Sequence, residues 1–144
     1  MKTLLSALSL LLAAGIAYAQ STPVGLWKTI DDETKAEKSY VRITDSGGVL
    51  SGRVEKLLDP SKQDSKCEKC SDERRDKPVL GMTIVRNAKQ SPDDKDHWEG
   101  GDILDPNNGK VYKLRLKPIE GGKKLEVRGY IGPFFRNQQW MRVE

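Results

Sequence analysis

The stretch Val111-Tyr112-Lys113-Leu114-Arg115-Leu116-Lys117 alternates apolar and basic side chains along most of its length. Successive side chains of an extended strand point to opposite faces. Tyr112, Leu114 and Leu116 therefore share one face, and the three cations share the other. A strand with one dry face and one wet face is typical of an antiparallel sheet that covers a core. The stretch predicts an all-β fold.

The same period of two recurs elsewhere along the chain, whereas helical periodicity is almost absent. It places Leu125, Val127 and Ile131 on one face of a second strand, and Val41 and Ile43 on one face of a third. The pattern predicts eight strands in all, at Gly25–Ile30, Ser39–Asp45, Val49–Leu58, Gly81–Asn87, His97–Leu104, Lys110–Ile119, Lys123–Ile131 and Asn137–Val143.

The connections between these strands are mostly short and rich in Gly, Asn and Asp, as at 45–48, 105–109 and 120–122. Such residues favour tight hairpin turns. The longest connection runs from Asp59 to Pro78. Sequential hairpins indicate an antiparallel up-and-down meander, and eight strands of this kind can close into a β-barrel. We expect a lipocalin-like eight-stranded barrel, with a β-sandwich as the alternative.

The first 19 residues have the features of a secretory signal peptide. Lys2 is followed by an apolar run from Leu4 to Ile16 and by the small-x-small site Ala17-Tyr18-Ala19. The apolar run is too short for a stable membrane span, and Gln20 stands where a lipoprotein would need Cys. We expect cleavage after Ala19, a periplasmic or secreted protein, and a single β-barrel domain over residues 20–144.

Charged residues of both signs are interspersed along the chain, whose formal net charge is +4. No basic stripe is interleaved with aromatic residues, so we expect no nucleic-acid partner. The chemistry-bearing residues also lack the spacing of a known catalytic motif. His97 is the only histidine, and the many carboxylates do not single out a pair. We expect neither an enzyme nor a bound cofactor or metal.

Cys67-Glu68-Lys69-Cys70 contains both cysteines of the chain. In an exported protein, two close cysteines most simply form a local disulfide. A redox-active pair would need a lowered thiol pKa, and a zinc site would need four ligands. The disulfide is the favoured interpretation, and a redox or metal role remains open.

Gly25-Leu26-Trp27 begins the first predicted strand, and Arg142 lies in the last one. Lipocalin-like (calycin) barrels have a Gly-x-Trp at this place, with a basic residue of the last strand lying across the indole. The resemblance implies that Trp27 and Arg142 close the barrel through a cation–π contact.

A longer series of motifs resembles one bacterial family, the domain-of-unknown-function family 2147. The series covers nearly all of residues 20–144. The resemblance implies a small exported one-domain protein with a paired-cysteine loop, and it implies no particular activity. The motifs are Gly25–Asp32, Cys67-x-x-Cys70, Pro78–Gly81, Trp98–Gly101, Leu104–Tyr112, Arg128–Gly132 and Gln139–Arg142.

Phe134 and Phe135 follow Gly132-Pro133 in the last predicted hairpin. We expect them to plug one end of the barrel, because apolar residues make up only 36% of the chain. The alternative is a hydrophobic lip for a ligand or a partner.

Three functions follow from these patterns. The leading hypothesis is a binding module for a small apolar or amphipathic molecule. The second is a cell-envelope interaction or structural protein with a filled barrel, and the third is a redox or metal role of the cysteine pair. The residues predicted to line a ligand pocket are Val41, Ile43, Tyr112, Leu114, Leu116, Leu125, Val127 and Ile131.

Overall fold

The computed structural model describes residues 21–144, which form eight β-strands and two single-turn 3₁₀ helices. The predicted signal peptide and its cleavage site lie outside the described residues. The strands are β1 (Gly25–Ile30), β2 (Glu37–Ser46), β3 (Val49–Leu57), β4 (Thr83–Gln90), β5 (Trp98–Leu104), β6 (Val111–Ile119), β7 (Lys124–Ile131) and β8 (Phe134–Arg142).

The eight strands form a closed barrel in which every strand pairs antiparallel with its neighbours in sequence. The barrel closes where β1 meets β8, through the pairs Trp27–Arg142 and Lys28–Met141. The predicted up-and-down, lipocalin-like barrel is confirmed. Closure removes the free edges that an open sheet of this size would expose. Within residues 21–144, no helix has the length and apolar character needed to cross a membrane.

The two ends of the barrel differ in their connections. We call the end that holds the β2–β3, β4–β5 and β6–β7 turns the closed end. Residues 21–24 also lie there, because β1 begins at that end. We call the other end the open end. It holds the β1–β2, β5–β6 and β7–β8 turns and the long connection between β3 and β4, residues 58–82, which we call the β3–β4 connection.

The interior follows the predicted alternation through most of the barrel. Six of the eight residues predicted to line a pocket point inward and are buried or partly buried within the barrel wall, and Tyr112 is half-buried on the same face. Ile131 is the exception, with 42% of its surface exposed. The prediction that Ile131 shares the interior with Leu125 and Val127 is wrong, because Ile131 is the last residue of β7 and lies at the barrel rim.

The prediction that Phe134 and Phe135 plug the barrel is also wrong. They are 75% and 55% exposed. The β7–β8 ladder continues to the pair Ile131–Phe134, so β8 begins at Phe134 rather than at Asn137. The two phenylalanines consequently lie at the end of a hairpin, where no side chains from across the barrel cover them.

Candidate ligand cavity

A cavity of about 650 Å³ occupies the open end of the barrel. Its walls are inward-facing residues of the strands, and the β3–β4 connection lies over part of its mouth. The volume falls in the range of pockets that bury most of a small ligand. The apolar part of the wall includes Val54, Leu57, Ile84, Ile103, Leu104, Val127 and Trp140.

The mouth of the cavity is lined by charged and polar residues of the β3–β4 connection and the neighbouring turns, and β8 supplies a polar wall that leads inward from it. Arg136, Gln138 and Trp140 are spaced two residues apart, so they share the inward face of the strand. The indole Nε1 of Trp140 donates a hydrogen bond to Oε1 of Gln138 at 3.0 Å. The side chains become more polar toward the mouth, and this gives the cavity an apolar inner end and a polar outer side.

Arg136 is held by a carboxylate from the β1–β2 turn. Its Nη2 and Nε donate to the two carboxylate oxygens of Asp32, at 2.6 and 3.2 Å. The Arg136 hydrogen bonds lower the pKa of Asp32, and the same contact raises the pKa of Arg136. The pair is therefore ionised at neutral pH and has no net charge. The Arg136 side chain lines the cavity, and the ion pair adds no net charge to its wall.

Three further hydroxyl groups contribute to the polar lining. Thr29 and Ser39 lie on neighbouring strands, and their hydroxyl oxygens are 2.8 Å apart. The phenol oxygen of Tyr112 accepts a hydrogen bond from Nδ2 of Asn108 at 3.0 Å. On the neighbouring strand β7, a Cβ on Gly129 would lie only 3.0 Å from the Cβ of Tyr112. The glycine thus leaves the space that the tyrosine ring occupies.

The structure places only two of the eight predicted lining residues, Tyr112 and Val127, on the cavity wall. Ile131 lies at the exposed rim. The other five are packed with one another and with the tryptophans of the core, and they do not line the cavity; these are Val41, Ile43, Leu114, Leu116 and Leu125. They point inward as predicted, but at levels of the barrel where side chains meet across its axis.

Sequence reasoning missed the polar wall. The hydrophobic pattern begins the last predicted strand at Asn137, which excludes Arg136, and it assigns no role to Asp32 in the motif Gly25–Asp32. A signal was present, since positions 136, 138 and 140 repeat the period of two that defines the inward face. Reading it requires β8 to begin earlier than the hydrophobic pattern indicates.

The β3–β4 connection contains the predicted disulfide, which closes a small ring beside the mouth. Cys67 and Cys70 are bonded to each other and are almost completely buried. This loop packs on the β5–β6 turn so closely that a Cβ on Gly109 would overlap the carbonyl group of Lys69. Gly109 has a φ of +71°, which glycine adopts without strain. The paired cysteines and the Asn-Gly turn, both family motifs, thus form one contact.

A second attachment ties the same connection to β4. Arg74 is 7% exposed, and its Nη1 donates to the carbonyl oxygen of Thr83 at 2.9 Å. Its Nη2 donates to Oδ2 of Asp72 at 2.6 Å. These hydrogen bonds lower the pKa of Asp72 to about 2. The carboxylate balances a charge that would otherwise be buried alone.

The closed end contains Trp27 and Arg142. Trp27 is fully buried, and its Nε1 donates to the carbonyl oxygen of Pro23 at 2.7 Å. The Arg142 guanidinium lies 4.2 Å from the centre of the Trp27 ring, in cation–π contact. Its nitrogens donate to the carbonyl oxygens of Gly122, Val24 and Thr22, at 2.6, 3.0 and 2.7 Å. Burial lowers the pKa of this arginine.

His97 belongs to the β4–β5 connection at the closed end, away from the cavity. Its Nδ1 lies 2.6 Å from Oδ2 of Asp94. Within residues 21–144, no three His, Cys, Asp or Glu side chains are grouped so that they could hold a metal ion.

Comparisons with known proteins agree with this geometry. A family model for uncharacterized proteins conserved in bacteria, DUF2147, matches residues 25–142. No protein of curated function shows significant sequence similarity to the chain. Among solved structures, the chain is similar to protein HP1028 of Helicobacter pylori, which belongs to the lipocalin family. The TM-score is 0.73 at 18% identity, over 87% of this chain and 85% of that one. The chain therefore belongs to the DUF2147 family, and it has the eight-stranded barrel fold of a lipocalin.

Proposed function

We propose that this protein is an exported, non-enzymatic carrier that binds one small amphipathic molecule in the cavity at the open end. The observation that supports the proposal most strongly is the cavity itself. It has about 650 Å³ of space, an apolar inner end and a polar wall along β8. A fully packed barrel would offer no such space.

The polar wall indicates what kind of ligand fits. An apolar portion would pack against Val127 and Trp140. A polar portion would lie along Gln138 and Arg136, toward the mouth. Asp32 already neutralises Arg136, and the lysines that line the mouth are accompanied by a similar number of carboxylates. A ligand with a neutral hydrogen-bonding group, such as an amide or a sugar hydroxyl, therefore avoids competing with internal ion pairs.

Export is part of the proposal and is supported by the N-terminal sequence pattern. A disulfide between buried cysteines suits an oxidising compartment. We assign that disulfide a structural role, because it constrains the part of the β3–β4 connection that packs on the β5–β6 turn. Mass spectrometry of the protein purified from the periplasm would test processing after Ala19. An N-terminus at Met1 would contradict it.

Ligand binding can be tested by titration with a fatty acid, its neutral amide and an n-alkyl glucoside of equal chain length. Trp140 lines the cavity, so tryptophan fluorescence should report occupancy. We expect saturable binding in which the amide and the glucoside bind more tightly than the charged acid. Absence of saturable binding for all three would overturn the proposal.

A cavity-filling variant locates the binding. Val127→Phe should abolish it by occupying the inner end. Val143→Phe makes the same change at a residue that is 43% exposed beyond the end of β8, and should leave binding intact. If Val127→Phe does not fold, Gln138→Leu provides a second test. It should weaken binding of the amide and the glucoside while a purely apolar fluorescent probe still binds.

A further inference from the structure

The end of the β7–β8 hairpin is the most exposed apolar feature of the described residues. We define the aromatic tip as Tyr130, Ile131, Phe134 and Phe135. Phe134 is 75% exposed, Phe135 55% and Ile131 42%. The rings of Tyr130 and Phe135 are neighbours, with centroids 6.1 Å apart. Exposed large apolar side chains that lie together mark an interaction surface.

The shape of the aromatic tip restricts the kind of partner. It is a two-stranded projection that ends at Gly132 and Pro133, so its apolar surface is convex and small. A stable protein–protein interface buries on the order of 800 Å² on each partner, which a tip of four residues does not supply. A lipid surface needs no complementary pocket, and aromatic side chains partition well into its headgroup region.

The charges beside the aromatic tip favour an anionic surface. The Arg128 guanidinium lies 4.6 Å from the centre of the Phe135 ring. Lys113 is the cross-strand partner of Tyr130, and Arg115 is that of Arg128. Lys113, Arg115 and Arg128 therefore form a cationic group on the outward face of β6 and β7 next to the tip, and the acid on this face, Glu126, lies further toward the closed end. Such a face attracts anionic headgroups.

The aromatic tip also lies at the mouth of the cavity. Gly129 and Arg136 form the β-pair on the cavity wall, and Ile131 and Phe134 are two residues further along the same ladder. Two residues of a strand span about 7 Å. A surface in contact with the tip therefore faces the cavity opening.

We propose that the aromatic tip inserts into the headgroup region of an anionic phospholipid membrane and orients the cavity mouth toward the lipid. The phenyl rings supply the apolar contact, and the cations of β6 and β7 supply the preference for anionic lipid. This docking does not depend on whether the cavity holds a ligand. Where both occur, the membrane is the source or the destination of the bound molecule.

Vesicle flotation of the purified exported protein tests the proposal. One set of vesicles contains phosphatidylcholine alone, and the other contains equal parts of phosphatidylcholine and phosphatidylglycerol. We expect stronger binding to the anionic vesicles and a loss of that preference at high salt. The double variant Phe134→Ser/Phe135→Ser should bind on the order of tenfold more weakly. The control Met141→Ser removes a 37% exposed apolar side chain at the other end of β8 and should bind normally.

Two further variants separate insertion from nonspecific attraction. Phe134→Trp should show a blue-shifted emission with anionic vesicles and quenching by brominated lipid. Lys113→Gln should weaken binding to anionic vesicles only. The control Lys89→Gln replaces an exposed lysine on β4 and should bind as the wild-type protein does.

Equal binding by the wild-type protein and the double phenylalanine variant would overturn the proposal, as would no binding to either vesicle. A concentration-dependent dimer lost only in that variant would instead identify a second copy as the occupant. Ligand titrations that fail while flotation succeeds would contradict the carrier function alone.

Discussion

The closed and open ends of the barrel are built from the same strands, but the interior is packed at the closed end and holds a cavity at the open end. On β8, Arg142 is packed at the closed end and Trp140 lies at the boundary between the core and the inner end of the cavity, whereas Gln138 and Arg136, on the same inward face, line the cavity toward its mouth. On β1, Trp27 is fully buried among apolar residues, and Thr29 two positions later faces the cavity. Inward orientation alone therefore does not distinguish a core residue from a site residue.

The difference arises from what lies across the axis. At the closed end, Trp27, Trp98 and residues 21–24 fill the interior, and Arg142 binds the backbone carbonyls of Thr22 and Val24. An eight-stranded barrel is just wide enough to be filled by its own side chains. At the open end, smaller residues such as Thr29, Ser39 and Gly129 leave space. Stability should depend mainly on the first region and ligand binding on the second.

The largest expected effect comes from Trp27→Ala at the closed end. Deleting a fully buried indole removes its packing, its hydrogen bond to Pro23 and its contact with Arg142. We expect the free energy of unfolding to fall by about 3–5 kcal/mol, measured by urea denaturation. A decrease in the free energy of unfolding below about 1 kcal/mol would contradict the expectation that packing at the closed end dominates the stability of the barrel.

The attachment of the β3–β4 connection should respond to Asp72→Asn. The amide cannot balance the buried charge of Arg74, so we expect a loss of about 1–3 kcal/mol at neutral pH. The pKa of Asp72 is lowered from 3.8 to about 2, so its contribution is present above the higher value and is lost as the pH falls through the lower one. The unfolding free energies of the wild-type protein and the variant should therefore converge over that window. Parallel pH curves would contradict the assigned pair.

Replacing both Cys67 and Cys70 by Ser should have a smaller and more local effect. The disulfide closes a short ring, so its removal should cost about 1–2 kcal/mol. We expect faster amide hydrogen exchange in residues 59–78 with the strands still protected. Reduction of the wild-type protein should reproduce this pattern. Turnover in an insulin-reduction assay would instead support a redox role for the pair.

The smallest effect on stability should come from Arg136→Met at the open end. This arginine is partly exposed, and such ion pairs contribute about 0–1 kcal/mol. The pKa of Asp32, measured by NMR, should rise because its main hydrogen-bond donor is lost. Binding of the amide and the glucoside should weaken although the fold is retained. A stability loss as large as that of Trp27→Ala would remove the distinction between the two ends.

The fold was predictable because its signals are local. Each signal is contained within a few residues: the alternation of apolar and polar side chains around Leu114 and Val127, and the turns rich in Gly and Asn. Together these signals predict antiparallel strands that pair in sequence order. Three features were not predictable in this way. The start of β8, the exposure of Phe134 and Phe135, and the pairing of Asp32 with Arg136, 104 positions apart, depend on which segments meet in space.

The strand order, the inward-facing positions of most strands and the favoured pairing of Cys67 with Cys70 all follow from local sequence patterns. Each of these depends on a period of two or on a short separation along the chain. Which inward residues pack as core and which line a cavity becomes visible only in the folded barrel. That outcome depends on the distance across the closed barrel, on the bulk of the side chains opposite and on where the β3–β4 connection lies. It is a property of residues far apart in sequence, which no local pattern records.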